Sequence, residues 1–260
     1  MSSAADGKEM SFWDHLDELR GTIIRSVAAV CIFAILAFLF KDAIFAFVLA
    51  PCKPEFFLYK ILKWNLKLDL INIELSAQFM VHLKLALLLG LIVAVPYVIW
   101  EIWRFISPAL YPAETRPARW VFALASVFFY LGAAFGYCFV LPVCLNFFVN
   151  YSVSDAVVNT ISLSSYISMF VSMVLLIGLV FEFPTVVLAL SKLGLVDRGM
   201  LRKGRSYALV AILVVSALVT PSDPVSMLVL ALPLYGLYEL SILMSNERDE
   251  NDDKQDAEAL

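Results

Sequence analysis

Residues Phe79–Trp100 read FMVHLKLALLLGLIVAVPYVIW, an apolar run interrupted by one charge, Lys84, near its start. As a helix it is about 33 Å long, enough to cross the roughly 30 Å hydrocarbon core of a bilayer. A helix apolar on every face must lie in a large protein core or in lipid. The whole chain decides between these: 62% of its 260 residues are hydrophobic and 16% charged, against about 45–50% and 25% in soluble domains. Outward from this run, Thr22–Phe40, Trp120–Phe148 and Tyr166–Leu190 satisfy the same length test, the last with Glu182 inside it. Tyr207–Val219 and Val225–Tyr238 are shorter and reach only about 20 Å each. Thr220-Pro221-Ser222-Asp223-Pro224 divides them, and two prolines so close demand a turn. The expected fold is an all-α integral membrane protein of six transmembrane helices, the last two short, arranged as a concave, cup-like bundle.

Six spans place both termini on one side, and the bases choose which. Lys8, Arg20, Arg25, Arg104, Arg116, Arg119, Lys192, Arg198, Arg202, Lys203, Arg205, Arg248 and Lys254 share the side of the termini. Against them stand Lys41, Lys53, Lys60, Lys63 and Lys67, all in one long connection. Both termini are therefore expected in the cytoplasm. The expected divisions are a cytoplasmic amphipathic helix over 1–21, a six-span domain over 22–244 and an acidic cytoplasmic tail over 245–260. The connection 41–78 has amphipathic stretches at 43–49 and 56–70 and is expected to cap the outer surface. The tail carries seven acids and two bases and cannot bury enough apolar surface to fold. The amino terminus is acidic and does not read as a cleavable signal. Cys31, Cys52, Cys138 and Cys144 show no Cys-x-x-Cys spacing, and His15 and His82 are the only histidines, so no metal or cofactor is assigned. Whether Cys52 and Cys144 bridge is open at this level.

Three places bear chemistry. Ser11-Phe12-Trp13-Asp14-His15-Leu16-Asp17-Glu18-Leu19-Arg20 starts with a capping signal and continues as a helix whose apolar stripe is Phe12, Leu16, Leu19 and Ile23. Asp14, Asp17 and Glu18 fall opposite that stripe; they are either a solvated face or a carboxylate site. The loop from Trp103 to Glu114 is unusually apolar, with Pro108 and Pro112 fixing its turns. Glu114 either pairs with Arg116 or Arg119, or joins Glu18 in an acidic site for a guanidinium ligand, since a carboxylate accepts the arginine fork and lysine cannot reproduce it. Glu182 sits within a span, where a charge costs about 2.5–3.5 kcal/mol; Pro184 two residues on predicts a kink and a polar notch beside it. Gly132-Ala133-Ala134-Phe135-Gly136 reads as a helix-packing site.

Taken together these residues resemble the TatC family, the multispanning core of the twin-arginine protein translocase. The matching stretches are Ser11–Arg20, Ala50-Pro51, Phe105–Tyr111 followed by Glu114, Phe181–Pro184, Thr220–Asp223, and Pro233 with Tyr235. The resemblance implies a receptor in the bacterial cytoplasmic (inner) membrane that docks twin-arginine signal peptides of folded cargo, working with single-span subunits of the TatA and TatB type, in contact with lipid and self-associating, and binding no nucleic acid. It is not expected to be an enzyme. By the same resemblance Glu18 and Glu114 recognise the arginines, with Leu16, Arg20 and Phe105 in the docking surface. Glu182 and Pro184 form the intramembrane polar site for partner subunits, and Pro51, Pro108 and Asp223 are loop positions important to structure and function. The rival reading is a small-solute or proton-coupled transporter built around Glu182.

Overall fold

The computed structural model describes residues 12–106, 112–152, 154, 160–192, 195–219 and 224–245. It is built from helices, which is what a chain must do where no water satisfies its backbone. Helix α1 (Phe12–Leu39) runs unbroken through the boundary expected near residue 21, so the juxtamembrane helix and the first span are one rod about 42 Å long. A short helix α2 (Lys41–Val48), a 3-10 turn (Ala50–Cys52) and helix α3 (Phe57–Leu62) follow, then α4 (Ala77–Ile106) and α5 (Pro112–Phe135). After a π-helical stretch (Gly136–Val140) the same rod continues as α6 (Leu141–Asn150). Pro142 explains the widened turn: it has no N–H to donate, and its ring crowds the carbonyl four residues back. Helices α7 (Leu163–Val180) and α8 (Phe183–Lys192), a short α9 (Arg198–Lys203), α10 (Arg205–Val219) and α11 (Pro224–Met244) complete the chain.

Five of these rods are long and apolar enough to cross a membrane: His15–Leu39, Ala77–Ile106, Ala123–Asn150, Leu163–Lys192 and Met227–Met244. Arg205–Leu218 is apolar but shorter, as expected of the fifth span. The last helix departs from expectation. It is 21 residues long rather than about 14, because Pro233 leaves it unbroken and it runs past Tyr238 to Met244. Its end is held from α9: Arg198 donates from Nε to the Ile242 carbonyl at 2.9 Å and from Nη2 to that of Leu243 at 3.0 Å, and the Tyr238 hydroxyl donates to the Leu201 carbonyl at 2.6 Å.

The rods pack in a sequence of neighbours. Helix α1 lies along α4; α4 meets α5 and α7; α5 meets α7 and α8; α11 packs between α8 and α10. Close contact is bought with glycines. A Cβ on Gly90 would fall 2.5 Å from the Ala34 backbone nitrogen, so α1 and α4 nearly touch there. One on Gly132 would fall 2.5 Å from the Phe181 Cβ, and one on Gly136 3.2 Å from the Met173 carbonyl, so the Gly132–Gly136 pair does serve packing.

One end of the bundle is capped by the 41–78 connection. Ile44, Val48, Cys52, Phe56, Leu58, Tyr59 and Leu66 are buried there and continue the main core. Three tyrosine hydroxyls satisfy carbonyls that the helix and turn ends leave open: Tyr137 to Phe47 at 2.8 Å, Tyr166 to Val48 at 2.6 Å, and Tyr59 to Pro51 at 2.8 Å. The stretch expected to be amphipathic over 56–70 is helical only from Phe57 to Leu62; Lys63 turns left-handed (φ 55°) and ends it. Strand β1 (Leu70–Ile71) then pairs in parallel with β2 (Ile161–Ser162), tying this cap to the chain just before α7.

Candidate functional site

At the uncapped end, α1 and α4 approach one another antiparallel. His15 stacks on Phe105 with ring centroids 4.3 Å apart, Arg25 reaches Glu101, Ala34 meets Gly90 and Phe38 stacks on His82 at 4.0 Å. His15, Glu18, Thr22 and Arg25 recur every three or four residues and so share one stripe of α1. On α4, Tyr97, Glu101 and Phe105 recur every four.

The two stripes meet in a polar network that the sequence did not announce. Glu101 is 3% exposed, and its Oε2 accepts from Arg25 Nε at 2.8 Å. Its Oε1 accepts from the Tyr97 hydroxyl at 3.0 Å, and Arg25 Nη2 donates to Thr22 Oγ1 at 3.2 Å. Every carboxylate oxygen is thus bonded, which is what a buried charge requires. Glu101 escaped sequence reading because it lies one residue past the apolar run and passes for an interfacial charge. The four-residue spacing Tyr97–Glu101–Phe105 and the seven-residue spacing Glu18–Arg25 were the signals available.

The apolar stripe of α1 faces outward, and the side opposite it, where the carboxylates fall, is only partly solvated. Leu16, Leu19 and Ile23 are exposed, Glu18 is half-buried beside buried Thr22, and Asp17 and Arg20 are exposed. In lipid the apolar face has no reason to turn inward, and the polar stripe finds its partners in protein instead. Phe105 is half-buried at the end of α4. Glu114 falls in the first turns of α5, but its side chain lies outside the described residues, as do Pro108 and Asp223.

Two further sites stand apart. Glu182 and Phe181 form the break between α7 and α8, with Pro184 buried in the first turn of α8. The Phe181 N–H still bonds the Ile177 carbonyl at 3.0 Å, but that of Glu182 slips to Leu179, three residues back, at 3.1 Å. The kink expected from Pro184 is present. Oε1 of Glu182 and Oγ1 of Thr185 are both buried, and the Glu182 carboxyl lies against the Thr185 side chain and the Phe129 backbone. Pro51 is at the opposite, capped end, buried in the 3-10 turn and bonded to Tyr59. Next to it, Cys52 is a buried thiol whose pKa burial pushes up to about 11. Cys144 is also buried, and no disulfide joins the described cysteines. Among the described residues no three histidine, cysteine, aspartate or glutamate side chains gather as a metal site.

Comparison with known proteins locates this architecture. The family model described as Sec-independent protein translocase protein (TatC) matches residues 14–233. Proteins named Sec-independent protein translocase protein TatC from Deinococcus radiodurans and Desulforapulum autotrophicum are each 35% identical to the chain. The first alignment covers 90% of this chain and 84% of the relative, the second 95% and 88%. A crystal structure titled as the twin-arginine translocase receptor TatC superposes with a TM-score of 0.74 at 32% identity, covering 88% of this chain and 97% of the other. A second, in the detergent DDM, gives 0.76 at 31% identity, covering 89% and 99%.

Proposed function

The chain belongs to the TatC family of Sec-independent protein translocase proteins, and from that premise we propose that its uncapped end docks the paired arginines of a signal peptide. It is a multi-pass protein of the bacterial inner membrane that works in twin-arginine protein translocation. The relatives' names favour this reading over a solute transporter.

The observation that carries the docking site is the junction of α1 with the end of α4. The stacked His15 and Phe105 bring Glu18, one turn along α1, to the mouth of the connection that leads to Glu114. Two carboxylates there would each accept a guanidinium fork, and an apolar signal stretch would follow the exposed Leu16, Leu19 and Ile23 face of α1 into lipid. Arg20, exposed on the same helix, completes the surface.

The finer assignments belong to the same proposal. Arg205–Val219 is also a span, the fifth in chain order, and brings the total to six; it is short enough to thin the bilayer. Both termini are cytoplasmic, and the 41–78 cap is external. The acidic tail is a cytoplasmic appendage, and residues 246–260 lie outside the described residues. Glu182, beside the kink at Pro184, faces single-span subunits, for which its Oε1 is a ready hydrogen-bonding atom. Pro51, in the external cap, Pro108, in the connection between α4 and α5, and Asp223, in the connection between the last two spans, are loop positions important to function. The chain has no catalytic role of its own; it recognises and positions.

The test is binding of a labelled twin-arginine peptide and its twin-lysine counterpart to the full chain in nanodiscs, with a Glu18→Gln/Glu114→Gln double variant. The arginine peptide is expected to bind about tenfold or more tightly than the lysine peptide, and the variant to lose that preference. Equal binding of both peptides to the wild type would overturn the docking site.

A further inference from the structure

Arg25 and Glu101 are not in the docking surface, and nothing in the resemblance assigns them. Glu101 is nevertheless the one fully buried carboxylate among the described residues, 3% exposed and held by a guanidinium on another helix at 2.8 Å and by Tyr97 at 3.0 Å. Glu101 lies one helical turn from Phe105 on α4, and Arg25 lies two turns from Glu18 on α1. The bond therefore spans the two helices that carry Glu18 and Phe105 of the docking site. Elsewhere along this pair His15 stacks on Phe105, Phe38 stacks on His82, and Gly90 against Ala34 lets the backbones touch; stacked rings and a close backbone approach resist sliding or rotation less than a directional bond. Here the Arg25 Nε must meet Oε2 while Nη2 meets Thr22 on its own helix.

We infer that Arg25 and Glu101 are positioning residues for signal-peptide docking: their ion pair fixes the register of α1 on α4 and so sets the distance between Glu18 and Phe105. The inference rests on the docking reading above. It also gives Arg25 a second effect. With its guanidinium on Glu101, that carboxylate is withdrawn from the acidic face, so an incoming arginine meets Glu18 and not a deeper competitor two turns below it.

The experiment uses the full chain in nanodiscs, with labelled twin-arginine and twin-lysine peptides as probes. The variants are Glu101→Gln, Arg25→Lys, and the exchange Arg25→Glu with Glu101→Arg. Separately, without peptide, disulfide formation between His15→Cys and Phe105→Cys is followed in a chain whose four native cysteines are replaced by alanine. Glu101→Gln and Arg25→Lys are expected to weaken the arginine peptide about ten- to a hundredfold, to lower the arginine-over-lysine preference although Glu18 is untouched, and to slow the 15–105 disulfide. The exchange is expected to recover most of both. A folded Glu101→Gln chain with wild-type preference and wild-type disulfide yield would overturn the inference. If Glu101→Gln does not fold, Arg25→Lys, which keeps a cation against the buried carboxylate, carries the same test. Should the wild type show no preference for arginine, the docking reading fails, while the disulfide yield still decides whether the pair sets register.

Discussion

At the scale of single residues, the buried thiol at the cap gives a pH-dependent signature. Cys52 titrates near 11 in the folded chain instead of near 9.0 because burial penalises the thiolate. The folded state therefore keeps its proton longer than the unfolded one. That contribution to stability is complete below pH 9 and is lost as pH rises toward 11. Thermal unfolding in detergent across pH 8–11 is expected to show a fall in Tm, part of which is absent in Cys52→Ala. In the folded chain Cys52 should also resist alkylation at pH 7.5. Gly132 gives a steric counterpart. Gly132→Leu would drive a side chain into the Phe181 Cβ at 2.5 Å and the Ile177 carbonyl at 2.9 Å, at the very helix break that carries Glu182. A loss of about 1–3 kcal/mol is expected, read as a lower unfolding midpoint. Gly236→Leu, with nothing within 4 Å of its Cβ, should change little.

At the scale of elements, hydropathy revealed most of the rods, and the prolines revealed the break before Pro184. The packing glycines were legible too, since Gly132 and Gly136 stand four apart in an apolar run. What was not legible was the direction in which α1 faces. A stripe of Phe12, Leu16, Leu19 and Ile23 reads as a buried face by the logic of soluble helices, where water drives apolar groups together. Lipid supplies no such drive, so Leu16 and Ile23 stay exposed, and Thr22 and Arg25 turn to α4. Glu101 was missed for a related reason: counting a span stops at its first charge, and a charge paired across helices looks the same in sequence as one in water. The length of α11 was underestimated because its apolar run was ended at Tyr238, whereas the helix continues through Ser241, whose hydroxyl bonds back to the Leu237 carbonyl, to Met244. The pairing of Leu70 with Ile161 is two residues long and 91 apart in sequence, below any periodicity.

At the scale of the whole molecule, sidedness is the property to measure. Lys53 and Lys60 are exposed on the cap, and Met200 and Leu195 at the far end. Single cysteines at these positions, in a chain with native cysteines replaced, are expected to react with a membrane-impermeant maleimide from opposite faces of oriented vesicles: Lys53→Cys and Lys60→Cys from outside, Met200→Cys and Leu195→Cys from the cytoplasmic face. Labelling of all four from one face would refute six spans with both termini in the cytoplasm. The exposure of α1 carries a further meaning, in time. Only 11% of its spanning stretch is covered by protein, against 39% for α4. A ribosome adding about 5–20 residues per second needs roughly 3–13 seconds to pass from the end of α1 to the end of α4. Through that interval the first helix must live in the bilayer without its mate, and a rod whose flanks are meant for lipid is suited to the wait; His82 and Gly90 reach Phe38 and Ala34 first, and the clasp of Arg25 on Glu101 closes only when the far end of α4 has emerged.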